Sequence, residues 1–320
     1  MKRFVLYRVL WLFIVAICVA ILIFSVMYLA PGDPVDSLLD ETATEEQEQE
    51  LRERLGLDQP FIVQIGKYLY DTFIRLDFGT SYQLKIPVIK EFTHRLPRTM
   101  TLSLICIAID LAIGIPLGIM AALNRGKFLD SGVIFFSMFG VSIPGFWLAM
   151  LLVVLFSKEL GWLPPFGIGT WKHWVMPVIA GSIAGICHNG RQTRSAVLET
   201  IRADFVTTAR AKGLPENKVI YKHMLPNALM PIVNGIGARL GSSIGGTIVI
   251  ETVFSFPGIG TFMMSGITAR DYPVIRGCVL ILALFSAVIA LFTDLVYGFI
   301  DPRIKAQYIR TAARKGGVKL

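Results

Sequence analysis

The sequence predicts an all-α membrane protein with six transmembrane helices, and three observations lead there. Of its 320 residues, 54% are hydrophobic and 17% charged, with a mean hydropathy of +0.61, well above that of a soluble domain. Apolar runs long enough to cross a hydrocarbon core, which takes about 20 residues, recur along the chain. Lys and Arg gather in alternate connections between those runs, the pattern that orients spans in a bilayer.

The first run, Val9–Leu29, has Ser25 as its one plainly polar side chain. It is longer than a signal-peptide core, and no small-x-small site precedes Pro31-Gly32-Asp33-Pro34, so it reads as a permanent anchor. Met100–Leu123, Val133–Phe156, roughly Trp174–Asn189, Leu229–Val253 and Gly277–Ile300 follow. The fourth is the weakest, being short and interrupted by Pro177 and glycines. Lys2, Arg3 and Arg8 precede the first run without an acid. Residues 188–228 carry seven Lys/Arg against three acids, and residues 30–99 carry thirteen acids against eight bases. Both termini therefore read as cytoplasmic, in agreement with an even number of crossings, which returns the chain to its starting side. The formal charge of +8 is a topology signal, since the bases are scattered over inner loops rather than gathered on a face for nucleic acid.

Residues 30–99 form an outer (extracellular or periplasmic) segment. Thr42–Leu55 reads as an exposed helix with a capping box at Thr44 and Gln47, and Phe61–Leu76 as an amphipathic helix after Pro60. Asp77–Tyr82 is a turn. The segment suits a cap over the outer mouth, or a spacer. The chain thus divides into residues 1–29, the outer segment 30–99, a core of five crossing helices at 100–300 with a long inner loop at 203–226, and a basic tail at 301–320.

In the fifth run Gly237, Gly241 and Gly245 recur at intervals of four, which puts them on one helix face and lets a neighbour approach closely. Arg239 lies in the same run, where a cation must face protein, a counter-charge or water. Asp110 and Asp294 are the candidate counter-charges; Asp294, near the end of its run, also suits a packing or capping role. The alternative is that Arg239 lines a translocation path and meets a substrate carboxylate. After this run Glu251–Gly260 turns through Pro257-Gly258, and Thr261–Thr268 is a Met-rich stretch too short to span. It is either a short helix against the mouth or a plain connection. Cys18, Cys106, Cys187 and Cys278 sit within or beside apolar runs without metal-ligand spacing.

The loop from Ala203 to Pro226 resembles the cytoplasmic "E-A-A, three residues, G, nine residues, I-x-L-P" loop of ABC-importer permeases, which presses into a groove on the ATPase. Ala209, Gly213, Leu225 and Pro226 stand at the motif spacing, while Thr207, Thr208 and His223 replace its Glu, first Ala and Ile. Pro31–Pro34, Leu55–Asp58, Phe78–Ser81, Thr207–Leu214, Glu251–Gly260, Arg270–Pro273 and Asp294–Arg303, with the basic start and long first run, resemble the dipeptide, oligopeptide and nickel branch of these permeases. The resemblance covers nearly the whole chain in the expected order.

It implies a type I ABC importer permease fold and one membrane half of a heterodimer with a related permease. Two ATPase subunits that bind ATP and Mg would lie below, and a substrate-binding protein above. It makes Asp204, Ala209, Gly213, Leu225 and Pro226 the ATPase-coupling residues. Peptides are the expected substrates, with nickel or a metal chelate as the alternative. The chain has no G-x-x-x-x-G-K-[S/T] loop, so no cofactor is expected on it and energy must come from another subunit or an ion gradient. An ion-driven secondary transporter would show paired repeats and would leave the long basic loop unexplained. An intramembrane enzyme would need a nucleophile and base or metal ligands within the membrane. The histidines, His94, His173, His188 and His223, lie at run edges or in loops, and no H-E-x-x-H occurs.

Overall fold

The computed structural model describes the backbone of residues 2–35, 38–39 and 43–300. Side chains are described over the same ranges except at 2–7, 234, 238, 242–244 and 294–300. Regular structure among the described residues is helical, apart from one antiparallel bridge between Thr80 and Pro87. The chain forms two compact units, one of Met1–Cys106, Ile143–Ser182 and Ile244–Phe285, the other of Ile107–Ser142, Ile183–Ser243 and Ser286–Leu320.

Helix α1 (Lys2–Leu29) contains the first apolar run. Helix α2 (Glu45–Leu55) begins at the predicted capping box, with Thr44 N donating to Gln47 Oε1 at 3.0 Å and Gln47 N to Thr44 Oγ1 at 3.4 Å. It starts three residues after the predicted Thr42 because the box fixes the first turn. Gly56, in the left-handed region at φ 69°, ends it. Helix α3 (Phe61–Phe73) follows Pro60. It stops short of the predicted Leu76, whose φ of 55° is not helical.

Rings bind α3 antiparallel along α1. Phe61 meets Tyr28 at 4.9 Å, Tyr68 meets Phe24 at 5.3 Å and Phe73 meets Phe13 at 5.6 Å. Such pairs add about 0.5–1.5 kcal/mol each beyond area burial. Ala16 and Ala20, both buried, let Leu280 pack beside them.

Helix α4 (Val88–Leu123) takes in the second run and starts well before it. The third run is two pieces, α5 (Phe128–Ser142) and α6 (Gly145–Leu152), the latter continuing as π-helical turns at Val153–Glu159. Pro144 causes the break, since it lacks an N–H and biases Ile143 away from helical backbone. Helix α7 (Lys172–Thr200) is far longer than the predicted fourth run. Pro177 lies in its second turn, where the missing N–H costs one early bond rather than the helix.

After α7 come α8 (Asp204–Ala211), α9 (Glu216–Lys218), π-helical turns at Val219–Met224 and α10 (Leu225–Ala228). Helices α11 (Met230–Val253), α12 (Ile259–Thr268) and α13 (Tyr272–Ile300) complete the described chain. By length and composition, three stretches of the described residues suit a membrane crossing: Arg8–Leu29, Val88–Leu123 and Tyr272–Thr293. The α5–α6 pair makes a fourth if it counts as one broken span. The Met-rich stretch is the helix α12, docked through Ile259 and Phe262 onto Val88, Phe92, Val274 and Cys278.

Two buried carboxylates organise the first unit. Glu251 is fully buried and accepts from Gly260 N at 2.6 Å, at the start of α12. Thr99 Oγ1 accepts from Ile259 N at 2.9 Å, so the orphan donors of that helix are met from two sides. A Cβ on Gly258 would run into the Glu251 carboxylate, which explains the small residue in this turn. Asp271, 2% exposed, accepts from Ser81 Oγ at 2.6 Å and from Tyr82 N and Gln83 N at 3.1 Å. It ties the turn after α3 to the start of α13. Asp271→Ala strands these donors in a buried site and is expected to cost about 3 kcal/mol. The readout is a lower thermal unfolding midpoint in detergent, with a smaller drop for Asp271→Asn.

Candidate functional site

The predicted coupling loop forms a packed knot on the second unit. Its α8 follows Ala203, whose extended backbone (ψ 145°) starts the helix. Val206 and Ala209, one turn apart, face inward with Val219, Met224, Leu225 and Ala228, against Ala122 of α4 and Val197 of α7. Helical periodicity then points Asp204, Phe205, Thr207 and Thr208 outward. The two threonines that depart from the motif are therefore exposed, and Thr208 Oγ1 turns back to Asp204 O at 2.8 Å.

Gly213 breaks the chain between α8 and α9 with φ 72°. Among the described residues nothing lies within 4 Å of where its Cβ would be, so the position needs glycine for backbone freedom rather than for space. Across it Arg210 clasps Glu216, with Nη2–Oε1 at 2.6 Å and Nε–Oε2 at 3.2 Å. The guanidinium holds the Glu216 carboxyl below its usual range, chiefly through these bonds. The clasp is thus present at neutral pH and is lost only as pH falls below the value for a free glutamate. It is exposed, and contributes little to stability.

Five predicted coupling residues thus divide. Ala209 and Leu225 are buried and hold the knot together, whereas Asp204, Gly213 and Pro226 are exposed. Phe205, 44% exposed, and Tyr221, 69% exposed, lie outside the predicted coupling set and give the knot an aromatic outer face. The inward period of Val206 and Ala209 was the signal for Phe205.

Arg239 donates to Asp110, the counter-charge on α4. The Asp110 side chain is 2% exposed and that of Arg239 30%. Gly185 of α7 makes room for the pair, because a Cβ there would overlap the Asp110 carboxylate. Of the glycine row, Gly237 is buried against Thr293 of α13, and Gly241 O accepts from Ser286 Oγ at 2.9 Å. Gly245 is exposed, with no neighbour among the described residues within 4 Å of its Cβ position. The Asp294 side chain lies outside the described residues. A second pair closes the unit: Arg194 of α7 grips Asp130 at 2.5 and 2.9 Å, and Gly126 N adds a bond at 2.9 Å. Among the described residues no cluster of His, Cys, Asp or Glu has the arrangement of a metal site.

Removing one member of a buried pair strands the other charge, at about 3–5 kcal/mol. Arg239→Gln and Asp110→Asn are each expected to lower the thermal midpoint of the purified protein, and the double change to recover most of the loss. Additive losses would show that the two side chains act separately.

The profile described as "binding-protein-dependent transport system inner membrane component" matches residues 114–306, and that of the N-terminal part of such components matches residues 1–103. The chain is 37% identical to the dipeptide transport system permease protein of Alkalihalophilus pseudofirmus, covering 95% of this chain and 100% of that one. It is 35% identical to the oligopeptide transport system permease protein of Bacillus subtilis, over 95% and 100%. A chain from inward-facing structures of the MetNI methionine ABC transporter superposes with a TM-score of 0.54 at 18% identity, covering 66% of this chain and 96% of that one. The fold is accordingly that of a type I ABC importer permease. With the two matching profiles together covering most of the chain, this multi-pass membrane protein belongs to the binding-protein-dependent transport system inner membrane component family.

Proposed function

We propose that the chain is the membrane subunit of an ATP-driven importer of di- and oligopeptides, forming half of the translocation path beside a related permease. ATP is bound and hydrolysed by separate subunits, and a substrate-binding protein delivers cargo from outside. The observation that carries this reading is the knot at 203–226. It has a buried base on α4 and α7, a glycine-determined break, and an exposed face with Asp204, Phe205 and Tyr221. A rigid base with an exposed face suits transmission of force from a docked ATPase to the crossing helices. Peptides as cargo are supported by the names of the relatives. Six crossings with both termini inside are supported by the alternation of basic loops.

In this reading Gly213 sets the angle between α8 and α9. A side chain there must adopt a left-handed backbone, at about 1–2 kcal/mol per residue. Gly213→Asp is expected to leave the protein in the membrane and bound to its ATPases, while peptide uptake falls about tenfold. ATP hydrolysis, measured on the same complex, persists without transport. Wild-type uptake of a labelled dipeptide is expected to need ATP and to survive collapse of the proton gradient. Uptake that stops with the gradient, or normal transport by Gly213→Asp, would count against the reading.

A further inference from the structure

Four short stretches that carry the family resemblance, 31–34, 55–58, 78–81 and 270–273, stand far apart in the chain. The first unit gathers parts of each around one cleft. Two adjoining hollows, of about 190 and 200 Å³, share Phe24, Leu57, Gln64 and Arg276. Gly32, Asp33 and Pro34 line one hollow, and Leu55, Gly56, Phe78 and Pro273 the other.

Arg276 lies between two rings, its guanidinium carbon 5.1 Å from the centroid of Phe24 and 5.2 Å from that of Tyr68. Stacking covers the faces of the guanidinium and leaves its edge for hydrogen bonds. Arg52, Arg75, Arg95, Arg194, Arg210 and Arg239 each meet a carboxylate. Arg276 meets none among the described residues, and its buried Nε has no hydrogen-bond partner there. Tyr68 Oη and Thr72 Oγ1, on the adjacent helix α3, are also buried, with no hydrogen bond beyond a contact between the two among the described residues. Unmet polar groups of this kind are unfavourable, and more so when charged, unless something supplies the bonds.

The acids nearby are engaged elsewhere. Asp71 pairs with Arg75 at 3.3 Å, and Asp77 accepts from Gly79 N at 2.8 Å. Exposed Lys67 lines the same hollow and adds positive charge at its edge. Burial raises the Tyr82 phenol above its ordinary pKa, against the opposing charge and side-chain hydrogen bond of Arg276, whose guanidinium keeps further N–H donors.

We propose that this cleft binds a carboxylate, with Arg276 as its forked donor and Lys67 at the rim. A guanidinium held flat between rings matches a carboxylate edge-on through two parallel bonds. The carboxylate comes either from the C-terminus of a short peptide or from an acidic side chain of the delivering protein. The second source rests on the importer reading and its outward placement of residues 30–99.

The test uses the complete importer in lipid nanodiscs without ATP. Probes are alanyl-alanine, its C-terminal amide, and the purified substrate-binding protein. Wild type is expected to bind alanyl-alanine or the protein, and Arg276→Gln to weaken that binding at least about tenfold. Arg276→Lys keeps the charge but lacks the fork, and is expected to recover only part. A loss for alanyl-alanine, with the amide bound weakly by wild type, assigns the peptide terminus. A loss for the protein alone assigns its side chain. Lys67→Glu, on an exposed helix face, is expected to act in the same direction and decides the matter if Arg276→Gln does not fold. Unchanged affinities in the variants, or wild type that binds neither probe, overturn the proposal. ATP-driven uptake by wild type is measured in parallel, so failure of the importer reading registers separately.

Discussion

A carboxylate buried among apolar helices must find donors, and Asp110, Asp130, Glu251 and Asp271 impose that constraint on this fold. Each is at most 3% exposed; Asp110, Asp130 and Asp271 join segments remote in sequence, and Glu251 closes the turn between α11 and α12. Asp271 reaches back to Ser81, Tyr82 and Gln83; Glu251 reaches forward to Gly260; Asp130 and Asp110 hold Arg194 and Arg239. An ionised group without such partners is strongly unfavourable in these surroundings, so the bonds specify which helices meet and in what register. An apolar contact can slide by one turn at small cost, whereas a bidentate pair such as Arg194–Asp130 cannot.

Small residues make those contacts reachable. Gly185 admits the Asp110 carboxylate, Gly258 admits Glu251, and Gly237 lets α11 approach Thr293 of α13. In a bilayer, helices gain little from hydrophobic burial against one another, and close backbone approach supplies much of the packing. Carboxylates and glycines therefore act together: one supplies the directional bond, the other the space in which it forms.

The loop at 203–226 follows the same economy on a smaller scale. Its inward residues are apolar, so two brief helices and a π-helical turn close over the ends of α4 and α7. Its outward residues are left to polar and aromatic contact. A displacement of the loop must be felt by α4 and α7, because Ala122 and Val197 belong to the same buried cluster. Buried cores are close to crystal density and transmit strain rather than absorb it. That links the loop mechanically to the helices that carry the Asp110–Arg239 and Asp130–Arg194 pairs.

Local features were legible in the linear chain because their causes are local. The capping box at Thr44 and Gln47, the helix after Pro60, the break at Gly213 and the apolar runs all depend on a few neighbouring residues. The motif spacing of Ala209, Gly213, Leu225 and Pro226 likewise located the loop, and Asp110 was among the counter-charges considered for Arg239. What periodicity could not supply was partnership: that Asp271 answers Ser81, that Ala209 faces inward while Phe205 faces out, or that Arg276 lies between Phe24 and Tyr68. It also misjudged α7, whose polar second half hides a continuous helix, and the third run, where Pro144 outweighs apolar length. Composition and spacing determined the class, the helices and the place of the loop. Tertiary packing alone decided which buried charge meets which donor, because that choice depends on groups brought together from distant parts of the chain.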